Sequence, residues 1–226
     1  MKIQQVYYKT MDKLNKLVSN NQQDIPFHIF VDNFNEEQLH WVSNCYKLAE
    51  KDLNEIHKIQ QLLIPHKELQ STSDKKFYTE FAFPENYFKY SSSISTIDVC
   101  PFELENHLVE QHNLPTLLKD PNWNPNLRFE DTLITISDNK FQVYKTEEFK
   151  VKSLLLSYYR TPIKVNMKDG FKDFDDIITK DVDPEWVNDN LEEIIDLTAK
   201  RIASNYGDNF AVQSQSNHIQ ETQIRI

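Results

Sequence analysis

Glycine is almost absent from this chain, and its scarcity limits what the chain can be more than any other sequence feature. The 226 residues include two glycines, Gly170 and Gly207, whereas an average protein contains about 7% glycine. Loops that hold a phosphate need closely spaced glycines, because only a residue without a Cβ lets the backbone approach the ligand so closely. The Rossmann fingerprint, the P-loop and the GxSxG nucleophile elbow are therefore excluded.

Composition and charge indicate a globular protein that does not read nucleic-acid sequence. Apolar residues make up 39% of the chain and aromatic residues 12%, which is more than a disordered chain carries. The length suits one large domain or two small ones. The formal net charge is −10, and only four of the bases are arginines: Arg128, Arg160, Arg201 and Arg225. Such a surface repels phosphate, so we do not expect sequence-specific binding of DNA or RNA.

The sequence predicts a soluble protein of a reducing cytoplasm. Cys45 and Cys100 lack the spacing of metal ligands, and we expect two reduced, buried thiols. The first residues, MKIQQVYYKT, contain no continuous apolar stretch of the kind found in signal peptides. No apolar run reaches the length of about 18 residues that a membrane span needs.

The N-terminal third of the chain is predicted to be helical. Apolar residues recur at three- and four-residue spacings over 1–19 and again over 35–63, which gives each segment one apolar face. Asn35 and Gln38 have the spacing of a capping box and would start the second helix, and Pro65 would end it. A helix of this length indicates packing against something large or against further copies.

The middle of the chain is predicted to form short strands separated by turns. The segments expected to be extended there are 77–83, 94–99, 132–136, 141–144 and 149–159, and a short extended piece is also expected earlier, at 27–31 between the two predicted helices. Residues 91–93 are predicted to form a turn, 103–118 a short acidic helix with an irregular piece, and 120–126 a loop. Residues 137–140 would close a hairpin between two of the strands.

Together these elements predict an α+β fold with long N-terminal helices, a small central antiparallel sheet, and a C-terminal helix followed by a polar tail. One domain is expected over 1–206, helical over 1–66, mainly strand over 67–166 and helical over 184–206. Residues 207–226 form the polar tail.

No residue pattern predicts catalysis. The seven histidines include no HExxH motif, and the acidic stretch with Asp173, Asp175 and Asp176 does not match an EF-hand loop. We therefore expect no enzyme, no metal and no cofactor. Two alternatives stay open: a metal-dependent hydrolase that uses the acidic loop, and a glycan- or host-binding module suggested by the aromatic content.

The three tryptophans have different expected positions. Trp41 lies on the long predicted helix and is expected in the core. Trp123 lies in a loop among Pro and Asn residues, where it either anchors the loop or contacts a partner subunit. Trp186 is expected to pack the last helix onto the sheet.

Several motifs follow one another in a recognisable order. Asn35-Glu36-Glu37-Gln38-Leu39-His40-Trp41 opens the long predicted helix. An acidic segment that includes Leu114 to Asp120, a loop with Pro125 and the hairpin over 132–144 follow. Leu156-Ser157-Tyr158-Tyr159-Arg160-Thr161-Pro162 and Glu193-Ile194-Ile195-Asp196 come last. Over most of the chain, this order resembles the head-to-tail connector proteins (adaptor or ring proteins) of tailed bacteriophages, the crAss-like group in particular. No catalytic residue belongs to the resemblance.

The resemblance implies a structural virion protein at the head–tail junction, made in the cytoplasm of the host bacterium. Such a protein forms a ring, usually of twelve copies, that joins the portal to the tail. Its partners would be further copies of itself, the portal protein and other tail or ring proteins, with no membrane involved. Genome DNA would pass through the ring on ejection without sequence-specific binding, which a net charge of −10 favours.

A set of residues is predicted at subunit or partner interfaces. They are Trp41, Trp123, Tyr158, Tyr159, Arg160, Asn209, Phe210 and Ile219. Arg160 is expected to pair with an acid in its own or an adjacent subunit. Asn209, Phe210 and Ile219 lie in the polar tail, which would gain order on docking to a neighbouring ring.

Overall fold

A computed structural model describes residues 1–17, 25–49, 51–100, 102–168 and 180–205. The helices of this part of the chain are α1 (Ile3–Leu17), α2 (Phe27–Leu48), α3 (Leu53–Lys58), α4 (Leu114–Leu117) and α5 (Asn188–Asn205), with a 3₁₀-helix at Gln60–Leu62. The strands are β1 (Leu63–Asp74), β2 (Tyr78–Ala82), β3 (Tyr87–Ile97), β4 (Glu103–Leu108), β5 (Asp131–Ser137), β6 (Lys140–Tyr144) and β7 (Val151–Arg160).

The chain divides into two compact units. The helical unit comprises Met1–Ile59 and Pro162–Ile226, and the barrel unit comprises Gln60–Thr161. The expected domain over 1–206 includes parts of both units.

The core of the helical unit forms where α1 and α2 pack against α5. Fully buried side chains from all three helices meet there: Val6, Leu14, Phe30, Phe34, Val42, Leu191, Ile195 and Ile202. On the rim of this core, the Lys13 ammonium binds Glu192 at 3.0 Å and Asp196 at 2.6 Å and so joins α1 to α5. The helices predicted over 1–19 and 184–206 correspond to α1 and α5, and the apolar spacing in each matches the buried face, but α5 begins at Asn188 and residues 184–187 are not helical.

The second helix is shifted from its predicted position. It begins at Phe27, directly after Pro26, so residues 27–31 are helical and the extended prediction for them is wrong. It ends at Leu48, because Asp52 starts a new helix by accepting a hydrogen bond from the Asn54 N–H at 2.9 Å. The capping box is also wrong, since Asn35 and Gln38 lie inside α2.

The seven strands form a closed barrel in the order β1-β2-β6-β5-β4-β3-β7. All neighbours are antiparallel except β4 and β5, which are parallel. The prediction of a small central sheet with long N-terminal helices is therefore wrong. The barrel closes through β1 and β4, two strands that the sequence pattern did not predict, and the helix predicted over 103–118 is reduced to the single turn α4.

The interior of the barrel is filled by apolar side chains. Fully buried members of this core include Phe81, Leu104, Ile134, Phe141, Leu154, Leu156 and Tyr158. One polar cluster lies among them: the Asn106 carboxamide donates to Ser93 Oγ at 2.8 Å and accepts from Ser95 Oγ at 2.7 Å. Residues 91–93 lie inside β3, so the turn predicted there is wrong.

The predicted hairpin is confirmed as β5 and β6. Asp138 and Asn139 link these strands with φ angles of 50° and 56°, the left-handed pair that a type I′ turn requires. On the outer face of β5, Leu133 packs with Leu114 and Tyr144. These contacts explain why β5 is buried on both faces and lacks a regular alternation of apolar and polar residues.

Candidate interaction surface

Three exposed phenylalanines lie at one end of the barrel. Phe77 is 62% exposed in the loop between β1 and β2, Phe102 is 57% exposed in the loop between β3 and β4, and Phe129 is 55% exposed just before β5. The strand directions place these three loops, and the loop between β6 and β7, at the same end. We call the three side chains the phenylalanine rim.

Backbone hydrogen bonds tie the loops that carry the rim to their neighbours. The Lys145 N–H donates to the Phe77 carbonyl at 2.9 Å, which joins the β6–β7 loop to the β1–β2 loop. The Asp98 N–H donates to the Lys150 carbonyl at 3.2 Å, and the Lys150 N–H donates to Asp98 Oδ1 at 2.8 Å. Two rim residues are thus presented on loops that share the β6–β7 loop as a common support.

The backbone of Phe102 adopts a left-handed conformation with a φ of 76°. Two hydrogen bonds hold it there: the Phe102 N–H donates to the Val99 carbonyl, and the Ile97 N–H donates to the Phe102 carbonyl, both at 2.8 Å. A bulky residue is rare in this region, which costs on the order of 1–2 kcal/mol for a side chain with a Cβ. The fold therefore retains an exposed aromatic ring at a position that glycine or asparagine would occupy with less strain.

A basic side chain lies over two of the rim rings, in each case that of the preceding residue. The Lys76 ammonium lies 5.2 Å from the Phe77 ring centroid, and the Arg128 guanidinium lies 6.0 Å from the Phe129 centroid, both within the range of a cation–π contact. Neither base forms an ion pair with another described residue. The rim therefore combines apolar rings with unpaired positive charge.

An ion pair joins the end of β1 to the β6–β7 loop at the same end of the barrel. The Lys145 ammonium binds the Asp74 carboxylate, which also accepts a hydrogen bond from the Thr79 hydroxyl at 2.8 Å. Hydrogen bonds from Lys145 first and from Thr79 second hold the pKa of Asp74 below its usual value, against a smaller opposing effect of burial. Lys145 itself is almost buried, so Asp74 neutralises a cation that has little access to water.

Trp123 packs against a neighbouring ring and is also half exposed, and its contact with a partner subunit stays a prediction. Its ring centroid lies 6.3 Å from the His107 ring, edge to face, yet half of the residue is accessible to solvent. Asp120 orders the loop, because its carbonyl accepts from the N–H groups of Trp123 at 3.1 Å and Asn124 at 2.9 Å. The indole is therefore presented on an ordered loop of the barrel unit.

The other predicted interface residues occupy different surroundings. Trp41 is buried in the helical unit, where its indole N–H donates to Glu193 at 2.8 Å and its ring meets Trp186 edge to face at 5.1 Å. Tyr158 fills the barrel and donates to Asn86 at 2.8 Å, and Tyr159 is buried beside it on β7. The Arg160 guanidinium donates to the Thr161 carbonyl at 3.1 Å. Asn209, Phe210 and Ile219 lie outside the described residues.

The acidic stretch considered for a metal site is described only in part. Asp173, Asp175 and Asp176 lie outside the described residues. Asp183 accepts a hydrogen bond from the Ile3 N–H at 2.8 Å, and Asp181 accepts one from the Lys168 N–H at 2.6 Å, so both organise backbone. Among the described side chains, no group of three His, Cys, Asp or Glu residues is placed to hold a metal ion.

A shallow groove of about 620 Å³ runs along α2 in the helical unit, and we call it the α2 groove. Its α2 wall includes Asp32, Glu36 and the 41% exposed Leu39, and its other wall includes Lys164 and Val165. Glu36 binds the Arg201 guanidinium, which also binds Glu37 at 2.7 Å. Asp32 is exposed and forms no ion pair with any residue described in the structure.

The two cysteines differ in exposure. Cys45 is buried in the helical unit, where burial is the main cause that raises its pKa to about 12. Cys100 is exposed, so the prediction of two buried thiols is wrong for that residue, although both are free. None of the helices that the structure describes has the length and apolarity needed to span a bilayer.

Comparison with protein-family models and with curated proteins finds no match to this chain.

Sequence reasoning missed the phenylalanine rim, and the local sequence carries no signal that would have found it. Phe77 follows Lys75-Lys76, Phe102 precedes Glu103, and Phe129 lies between Arg128 and Glu130. Phe149 likewise lies between Glu148 and Lys150 just before β7, yet it is buried in the barrel core. Adjacent charges therefore do not distinguish the exposed rings from a buried one.

Proposed function

We propose that this chain is a structural subunit of a larger assembly, a ring protein that joins the portal to the tail of a phage virion. The phenylalanine rim is the observation that carries the proposal. It gathers three aromatic rings, each more than half exposed, at one end of the barrel. Apolar side chains grouped in this way favour a protein partner, because burying them there removes apolar surface from water.

The Trp123 loop supports the same function. Tryptophan and phenylalanine are enriched at the cores of protein interfaces, and here an ordered loop presents the indole to solvent. The barrel unit therefore offers four exposed aromatic residues on loops, while its own interior is filled by buried side chains.

The charge of the chain suits a subunit that surrounds moving DNA. Acidic residues outnumber basic ones by 35 to 25, and a surface of that sign opposes capture of phosphate. A passage for a genome needs this property, because DNA held by many lysines and arginines would not slide freely.

Co-purification with the portal protein of the same genome tests this function. The wild-type chain is expected to co-purify with tagged portal protein as a multi-copy ring, counted by native mass spectrometry. A variant with Phe77→Ser, Phe102→Ser and Phe129→Ser is expected to be lost from that complex. A matched control with Tyr8→Ser and Val187→Ser removes two similarly exposed side chains from the helical unit and should be retained.

If the wild-type chain is absent from portal complexes and from purified virions, the proposed function is wrong. If the rim variant co-purifies as well as the wild type, the rim does not carry the contact.

A further inference from the structure

We propose that the helical unit contains a binding site for a quaternary ammonium cation, in a recess lined by three aromatic rings and one carboxylate. We call this site the aromatic recess. Its ligand is a small molecule or the trimethylated side chain of a lysine, which carry the same cationic headgroup. The inference does not rest on the proposed ring function, because the residues that line the recess belong to the helical unit and the phenylalanine rim belongs to the barrel unit.

Three aromatic side chains form walls of the aromatic recess. Tyr7 and Tyr8 lie on α1, and Phe27 begins α2. The ring planes of Tyr8 and Phe27 stand at 68° and 82° to the plane of Tyr7, and their centroids lie 5.5 Å and 4.8 Å from its centroid. The Tyr7 hydroxyl donates a hydrogen bond to the Ile25 carbonyl at 2.8 Å, which fixes the central ring. Rings at such steep angles form a corner and not a flat platform.

The aromatic recess has room for a small organic headgroup. The described residues that line it also include Gln4, Asp181 and the buried Met167, and its volume is about 210 Å³. A water molecule occupies only ~30 Å³, so the recess holds a group several times larger. A wider depression of about 470 Å³, lined by the same three rings with Ile25 and Pro26, adjoins it. A bound headgroup can therefore carry a larger substituent.

The charge of the recess favours a cation. Asp181 is exposed, is the one charged side chain among the described residues that line the recess, and forms no ion pair with a described residue. Lys168 and Lys180 are exposed and adjoin lining residues in the sequence, but neither ammonium pairs with this carboxylate. The helical unit as a whole contains 21 acidic and 14 basic side chains, so its net charge attracts cations.

Hydrogen-bonding groups of the recess are already engaged, which favours a cation without N–H donors. The Asp181 carboxylate accepts from the Lys168 N–H at 2.6 Å and from Gln4 Nε2 at 3.3 Å. A guanidinium has five N–H donors and a primary ammonium has three, and a donor that loses water without gaining an acceptor costs free energy. A quaternary ammonium has no such donor, and the faces of aromatic rings attract its charge.

A sugar also binds to aromatic rings, but it fits this recess less well. Each hydroxyl of a sugar needs a hydrogen-bond partner, whereas here Gln4 and Asp181 bind each other. The angles between the rings also leave no flat platform for stacking. Binding of a sugar therefore becomes an outcome of the test.

An NMR titration of the full chain with choline chloride tests the site, with the ionic strength held constant by sodium chloride. The amide signals of Tyr7, Tyr8 and Phe27 are expected to shift in a saturable way. The neutral isostere 3,3-dimethylbutan-1-ol has the same shape without the charge. It is expected to bind about tenfold more weakly, because it loses both the cation–π contacts and the attraction of Asp181. This comparison uses the wild-type chain, so it does not depend on the folding of a variant.

Two substitutions remove the contacts one at a time. Tyr8→Leu removes one ring and is expected to weaken choline binding about threefold. Asp181→Asn removes the charge but keeps an oxygen for the Lys168 N–H, and it is expected to weaken binding about fivefold. The matched controls Phe77→Leu and Asp138→Asn lie at exposed positions of the barrel unit and should leave the dissociation constant unchanged. Thermal unfolding checks that each variant keeps the fold.

A parallel titration with the amide of N-acetyl-trimethyllysine identifies the source of the cation. Tighter binding of choline assigns the recess to a small molecule. Tighter binding of the trimethyllysine amide assigns it to a methylated lysine of a protein partner. Either preference supports a site for a quaternary ammonium.

Three results overturn the inference. The first is equal affinity for choline and its neutral isostere, or no saturable shift with choline. The second is an affinity for choline that neither Tyr8→Leu nor Asp181→Asn changes. The third is tighter binding of N-acetylarginine amide or of N-acetylglucosamine than of choline.

The test separates this inference from the proposed function. Tyr8→Leu is expected to weaken choline binding and to stay in portal complexes, as the control with Tyr8→Ser and Val187→Ser does. The triple substitution of the phenylalanine rim is expected to keep choline binding and to be lost from portal complexes. Each claim can therefore fail while the other holds.

Discussion

Asn35 binds the backbone of Val165 as a neighbouring β-strand would. Its Nδ2 donates to the Val165 carbonyl at 3.1 Å, and its Oδ1 accepts from the Val165 N–H at 2.8 Å. Gln38, one turn later on α2, donates to the Ile163 carbonyl at 3.1 Å and accepts from the Trp186 indole at 3.1 Å. Two helical carboxamides therefore hold the extended segment that forms one wall of the α2 groove.

Replacing Asn35 with Ala is expected to destabilise the protein. Val165 is buried, so the substitution leaves its N–H and C=O without partners and lowers the free energy of unfolding by about 2 kcal/mol. Urea titration measures this change. Asn44→Ala alters helix propensity equally at an exposed position of α2 and should not destabilise. Equal stability of the two variants would contradict the role of Asn35.

Replacing Phe102 with Asn is expected to stabilise the free protein. Asparagine tolerates the left-handed backbone better than phenylalanine does, so the free energy of unfolding should rise by about 1 kcal/mol. Phe77→Asn, at a similarly exposed rim position without a positive φ, should bring no such gain. Chemical denaturation of both variants and of the wild type measures these changes in the free energy of unfolding. Loss of stability in Phe102→Asn would mean that the ring stabilises the isolated chain.

The Asp74–Lys145 ion pair predicts a dependence of stability on acid pH. Because the folded state lowers the pKa of Asp74, its stabilising contribution is complete above the unfolded pKa near 4. It is lost as the pH falls through the lower, folded value. Asp74→Asn is therefore expected to be less stable than the wild type at neutral pH, with the difference shrinking below about pH 4. Thermal melts across this range measure it.

Asp138→Asn is the matched control for that series. Asp138 forms no ion pair with a described residue, and its turn position suits asparagine. This variant measures the effect of replacing a carboxylate with an amide where no described ion pair is lost. A difference between Asp74→Asn and the wild type that does not shrink as the pH falls would show that the ion pair does not stabilise the fold.

The two thiols are expected to react at very different rates. Cys100 is exposed, whereas Cys45 is buried and has its pKa raised to about 12, and only the thiolate is nucleophilic. At pH 8 a thiol reagent such as DTNB should modify one cysteine per native chain and both after denaturation. Rapid modification of two cysteines in the native protein would contradict the burial of Cys45.

Local sequence patterns predicted α1, α5 and the hairpin, but they could not predict the bounds of α2 or closure of the barrel. The apolar face of α5 and the Asp138-Asn139 turn are local signals, so they can be recognised without knowledge of the fold. β1 has side chains that are mostly exposed or half-buried and shows no alternation. β4 pairs in parallel with a strand that begins more than 20 residues later, and the carboxamide of its Asn106 binds serines of β3.

The candidate interaction surface could not be predicted from local sequence patterns either. Trp41 and Tyr158 carry the aromatic character expected of an interface, but the fold buries both. The exposure of Phe77, Phe102 and Phe129 depends on which strand ends meet at one end of the barrel. That arrangement follows from the strand order, which non-local pairing decides.

Hydrogen–deuterium exchange of the rim loops, compared between the free chain and the portal-bound assembly, measures whether the phenylalanine rim is an interface. Slower exchange is expected in the assembly for the amides of 75–77, 98–100, 102 and 126–130, because docking removes these loops from water. Equal exchange of the rim loops in both states would show that the phenylalanine rim stays exposed and would contradict the proposed function.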